Sequence, residues 1–148
     1  MAIKLVFLAQ VGATLAMAGI TWFAQVVHYP LFGHVGRDAF SSYEALNMRL
    51  TNFVVGPLIL VEGGTALVLV WLRPEGLLLF QVLVGMALLV VIWLSTAFLQ
   101  VPMHTILTHG YDDPAHRTLV RSNWIRTVAW SGRGLLVLWM VGRVMCWI

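Results

Sequence analysis

The sequence predicts an all-α, integral membrane four-helix bundle, and three observations carry the prediction. Of its 148 residues, 60% are hydrophobic and only 10% charged. Mean hydropathy is +0.88, far above that of a soluble domain of this length. The apolar residues also gather into four stretches, 5–27, 53–72, 77–101 and 124–141, each long enough to cross a hydrocarbon core of about 30 Å. One transmembrane domain, residues 1–148, accounts for the chain.

The first stretch begins after Lys4 and has the look of a signal peptide. Its apolar run is longer than a signal core, contains Gln10 and Gln25, and ends in His28-Tyr29-Pro30 with no small-residue cleavage site, so it reads as a mature helix. In the connection that follows, Phe40, Tyr43, Leu46 and Leu50 recur at helical spacing behind Asp38. This pattern predicts a short amphipathic helix on the membrane surface, capped by Asp38. The second span opens at Asn52-Phe53 and carries Glu62; Arg73-Pro74-Glu75-Gly76 then makes a tight turn. In the third span, Pro102 predicts a kink, with helix-compatible sequence continuing to Gly110. Asp113-Pro114 is a cap and first-turn signal for a helix that runs into the fourth span, which opens at Asn123-Trp124 and carries Arg133.

Four spans put both termini on one side. Arg37, Arg49, Arg117, Arg121 and Arg126 lie on the long-connection face, against Lys4, Arg73 and Arg143 on the other. The balance favours long connections in the cytoplasm and a multi-pass protein of the bacterial inner membrane. The net charge of +3 comes from arginines mainly at span ends, where lipid headgroups explain them better than nucleic acid. Expected partners are membrane lipids, with a larger membrane complex or a homo-oligomer as further options. Cys146 is alone, which excludes an intrachain disulfide and a multi-cysteine metal site.

Glu62 and Arg133 each stand ten residues past an Asn-aromatic pair, near a depth of about 15 Å. An isolated charge at that depth is costly, so the two are expected to neutralise each other. The halves also look related, because Gln25-Val26-Val27-His28 is similar to Gln100-Val101-Pro102-Met103-His104 ahead of the two Asn-aromatic openings. A duplicated helical hairpin would make Glu62 and Arg133 equivalent positions.

Span one presents Gln10, Thr14, Met17, Thr21, Gln25 and His28 on one helical face, and span four presents Asn123, Arg126, Trp130 and Arg133. With these stripes inward, Gln25, His28, Glu62, Gln100, His104, Arg126 and Arg133 would line one funnel open towards the long connections, with Trp22, Trp93, Trp124 and Trp130 along it. In that reading His28, Glu62 and His104 are the candidate catalytic groups. Gln25, Gln100, Asn123, Arg126, Trp130 and Arg133 are the candidate ligand-binding groups. Glu62 with Arg133 reads equally well as a structural pair fixing helix register, and His34, His109 and His116 read as solvated.

His28 and His104 are the candidate metal ligands, and haem or a metal ion is the candidate cofactor. No His-Glu-x-x-His, Glu-x-x-His or Cys-x-x-Cys-His run supports them. Arg126 and Arg133 suit a propionate, phosphate or other anionic group better than a bare cation. Ser95, Ser131 and Cys146 have no base at a diagnostic spacing, and no phosphate-binding glycine loop is present.

The string Trp22-Phe23-Ala24-Gln25-Val26-Val27-His28-Tyr29-Pro30-Leu31-Phe32, with Asn123-Trp124-Ile125-Arg126-Thr127-Val128-Ala129-Trp130, resembles small four-helix membrane proteins of bacteria. The proline at the end of span three and the Arg-Thr opening span four are similar to the anthrone-oxygenase-like membrane family. This chain has Met103-His104 after that proline and no His before Arg126-Thr127. What the resemblance implies is a membrane-embedded pocket for a hydrophobic substrate. The expected function is therefore binding of an amphipathic organic ligand or cofactor, with redox chemistry as an option. The competing expectation is a non-enzymatic accessory subunit or assembly factor of a larger membrane complex.

Overall fold

A computed structural model describes residues 2–146 and contains four long helices and no strand among them. We label them α1 (Ala2–His34), α2 (Arg37–Trp71), α3 (Leu79–Leu107) and α4 (Asp113–Met145). The all-α membrane bundle is as expected. The first three helices are long and apolar enough to cross a membrane; α4 has the length but carries Arg126 and Arg133 within its apolar stretch. Large apolar side chains point outward on every helix. Phe53, Leu60, Phe98 and Leu135 are 70–81% exposed, a surface suited to lipid and not to water.

The first connection departs from expectation. Val35 and Gly36 alone separate α1 from α2, and the supposed surface helix is the upright first part of α2. The reason is its phase. Phe40, Glu44, Asn47, Thr51, Val55, Leu58 and Glu62 step by three or four residues along one helical face, buried or half-buried except at Thr51, so helix is favoured without a break. Phe40 and Glu44 are fully buried while Leu46 and Leu50 are more than half exposed, so the expected apolar face is divided between core and surface. Asp38 is not the cap: Gly36 holds that position without a side-chain bond, and Asp38 sits in the first turn. At α4 the cap is one residue earlier than expected, since Asp112 accepts from the Ala115 amide at 2.7 Å and Asp113 begins the helix. Between α2 and α3, Gly76 turns the chain at a φ of 84°, a conformation open to glycine without steric cost.

Neither proline ends its helix. A proline removes one amide donor and crowds the carbonyl four residues back. Here Ala24–His28 and Thr96–Gln100 widen into π-turns just before Tyr29-Pro30 and Val101-Pro102, and both helices continue. The two π-turns bring the hairpins into correspondence, with a correction to the sequence alignment. Matching Pro30 with Pro102 sets His28 against Gln100 and Phe32 against His104, so the two histidines are not equivalent. Glu62 and Arg133, 71 residues apart, correspond through the Asn52 and Asn123 openings and fall one residue short of the proline spacing.

The helices form a ring in which α1 packs on α2 and α4, and α3 packs on α4 and α2. Three apolar layers stack along it. Phe7, Leu69, Val82, Val137 and Met140 fill the terminal end; Met17, Ala66, Leu89, Ile92 and Trp130 fill the middle; Phe32, Phe40, Leu107 and Leu119 fill the far end. Buried polar groups sit between these layers.

Candidate functional site

The expected single funnel is two polar centres with the middle apolar layer between them. The first centre holds Glu62 and Arg133. They approach across the ring, from α2 and α4, and both are at most 2% exposed. One carboxylate oxygen, Oε1, accepts from Arg133 Nε at 3.0 Å, from Arg133 Nη2 at 2.8 Å and from the Thr14 hydroxyl at 2.7 Å. Arg133 Nη1 donates to the Gly85 carbonyl, so all three guanidinium nitrogens are engaged. Gln10 completes the ring by donating to Thr14 at 3.0 Å and accepting from Thr65 at 2.6 Å. Glu62 Oε2 has no partner. A void of about 20 Å³ beside Arg133 has room for one water, too little for an organic ligand.

Packing explains why these two charges meet. Gly63 and Gly134 follow the charged residues, and each faces the opposite hairpin. A Cβ on Gly63 would lie 3.0 Å from the Trp93 ring, and one on Gly134 would lie 3.7 Å from Leu15. Small residues there let the backbones come close enough for the side chains to bridge the ring.

The second centre, at the end of the bundle near the α1–α2 and α3–α4 connections, was not legible as a unit in the sequence. Glu44, fully buried, accepts from His104 Nδ1 at 2.5 Å on one oxygen and from the Asn47 amide at 3.0 Å on the other. Asn47 Oδ1 in turn accepts from His28 Nε2 at 2.8 Å and from the Thr51 hydroxyl at 3.2 Å. Because the carboxylate accepts at Nδ1, His104 Nε2 is left to receive the Tyr29 hydroxyl, 3.3 Å away. The Arg126 guanidinium lies near enough to act electrostatically on that same hydroxyl, with no hydrogen bond between them within 3.5 Å. Glu44, Asn47 and Tyr29 are the residues that sequence reasoning missed, and the helical face from Phe40 to Glu62 was the available signal.

Aromatic rings wall this centre. Phe32, fully buried, meets Tyr29, Phe40 and Tyr43 edge-on at 5.6–5.8 Å. His116 is not solvated as expected. It stacks on Phe32, donates from Nε2 to the Tyr29 carbonyl at 2.7 Å, and accepts at Nδ1 from the Tyr111 hydroxyl at 3.0 Å. Burial first, and then the nearby Asp113 carboxylate, raise the Tyr111 phenol above its usual range, which keeps it a donor to His116. His34 and His109 are exposed, as expected.

The remaining expected site residues divide cleanly. Gln25 donates to the Val120 carbonyl at 3.1 Å and accepts from Asn123 at 2.9 Å; Gln100 donates to Ser122 at 3.0 Å and accepts from Ser95 at 3.1 Å. These bonds tie the two π-turns to α4. Arg126 and Trp130 instead line an open cavity of about 370 Å³, together with Met17, Ile59, Ile92 and Trp93. Trp22 and Trp124 do not line it; they pack edge to face at 5.7 Å on the opposite seam, where Trp22 also donates to Ser131 at 2.9 Å.

Among the described residues no three His, Cys, Asp or Glu side chains come together in a metal-binding group. His104 has both ring nitrogens engaged, and His28 spends Nε2 on Asn47. This donor set does not fit the metal or haem ligation considered from sequence. No family model, curated protein or solved structure matches the chain.

Proposed function

We propose that this is a multi-pass protein of the bacterial inner membrane that binds a single-chain amphiphile, with its tail in the 370 Å³ cavity and its oxygen-bearing head at Arg126. One coincidence carries the reading. Arg126 Nε and Trp130 Nε1 are buried donors without a partner among the described residues, and both belong to residues lining that cavity. A buried donor left unsatisfied costs about 1–3 kcal/mol, and a ligand oxygen would offset that cost. The volume lies in the range of small-molecule sites, whose linings are mostly apolar with a few placed polar groups. Access from the bilayer is consistent with the looser contact of α2 with α3 than of the other neighbouring helices. The resemblance to the anthrone-oxygenase-like family, read from the fourth span, points to the same kind of pocket.

The test is extraction of the protein in mild detergent, mass spectrometry of co-purified lipids, and titration with oleic acid. Arg126→Gln is expected to weaken oleic acid binding by roughly tenfold to a hundredfold, as for a lost hydrogen bond to a charged group. Trp130→Phe is expected to weaken it less. No co-purified amphiphile and no oleic acid binding would reject the reading and favour an accessory subunit.

A further inference from the structure

Resting on that reading, we infer that Glu44, His104 and Tyr29 form a proton-accepting relay, and that the ligand is a weak-acid amphiphile whose head is an acidic hydroxyl group. The geometry sets the direction. Glu44 fixes His104 with Nδ1–H towards the carboxylate, Asn47 fixes Glu44, and the imidazole lone pair at Nε2 meets the Tyr29 hydroxyl. Arg126 joins this chain to the cavity, since it acts electrostatically on the Tyr29 hydroxyl and lines the cavity wall.

The transfer balances. The head gives its proton to the Tyr29 oxygen while the Tyr29 proton passes to His104 Nε2. Tyr29 ends unchanged, the head becomes an oxyanion, and His104 becomes an imidazolium. Each new charge has a waiting partner: Arg126 for the oxyanion and Glu44 for the imidazolium. A buried ion pair needs this matching, because an uncompensated charge in an apolar interior is costly. Before transfer, Glu44 is balanced chiefly by hydrogen bonds and Arg126 has no carboxylate partner among the described residues. The ionisable groups facing the relay are His28 on α1, Tyr43 on α2, and Arg126 and His116 on α4. His28 touches it only through Asn47. Glu44 acts through His104 and is a positioning residue.

The experiment uses full-length protein in lipid nanodiscs with nitrogen-15 histidine, and His104→Gln assigns the His104 signals. At saturating oleic acid the wild-type His104 signals are expected to change from the neutral to the imidazolium pattern, whereas methyl oleate leaves them neutral. Dodecylphenol distinguishes a phenolic from a carboxylic head by whether it reproduces the change. Tyr29→Phe is expected to lose the response, and Glu44→Gln to reduce the imidazolium fraction about tenfold, as for a lost hydrogen bond to a charged group. An unchanged His104 pattern with oleic acid bound, or a response equal in wild type and Tyr29→Phe, would overturn the relay and leave the cavity reading standing. Failure of both oleic acid and methyl oleate to bind would overturn the cavity reading itself.

Discussion

The two buried carboxylates are built to opposite plans. Glu62 is locked: three donors converge on one oxygen, and its arginine has every nitrogen engaged. Glu44 is linked: its oxygens lead through His104 and Asn47 to Tyr29 and His28, and through Tyr29 to Arg126 and a cavity. The locked centre has room beside it for one water, while the linked one shares its neighbour Arg126 with a cavity of about 370 Å³. The carboxylate conspicuous in the sequence is closed off by its partners. The inconspicuous one orients His104, the acceptor of the proposed relay.

Breaking the locked centre should give the largest effect. Glu62→Leu alone leaves Arg133 charged and unpaired, and a loss of about 3–5 kcal/mol is expected in detergent denaturation monitored by circular dichroism. Glu62→Leu with Arg133→Met removes both charges and should recover most of that loss. If the double variant is as unstable as the single, the pair is not the simple closed unit described here.

The linked centre should be softer. Glu44→Gln keeps its size but alters the partner of His104, and a loss of about 1–3 kcal/mol is expected in the same measurement. A loss equal to that of Glu62→Leu would erase the distinction between the two plans. The seams offer a finer comparison. Gly63→Ala drives a methyl against the Trp93 ring at 3.0 Å and should cost about 1 kcal/mol. Gly134→Ala meets Leu15 at an ordinary 3.7 Å and should stay within about 0.5 kcal/mol. Smallest of all is Arg37→Gln, since the Arg37–Asp113 pair is 3.9 Å long and mostly exposed. It should change stability by less than about 0.5 kcal/mol.

Helix content and the pairing of Glu62 with Arg133 were legible because a charge inside an apolar run has few places to go. The second centre was hidden on the polar side of a helix that reads as lying on the membrane surface: Leu46 and Leu50 do face outward, but Glu44 and Asn47 turn into the bundle instead of to water. The continuation of the third helix past Pro102 was legible, while the π-turn that precedes the proline was not, since no local sequence rule marks it. The cavity was legible only in part: Trp93, Arg126 and Trp130 were expected along a pocket, but the rest of the lining could not be read because it is drawn from several helices.

The equivalence of Glu62 and Arg133 has a consequence for assembly. If each hairpin were made as a separate chain, two copies of the first would set glutamate against glutamate, and two copies of the second would set arginine against arginine. Only the mixed pair cancels its charge in the interior. The two halves thus carry opposite halves of a recognition code, and hairpins expressed apart should associate as heterodimers while rejecting copies of themselves.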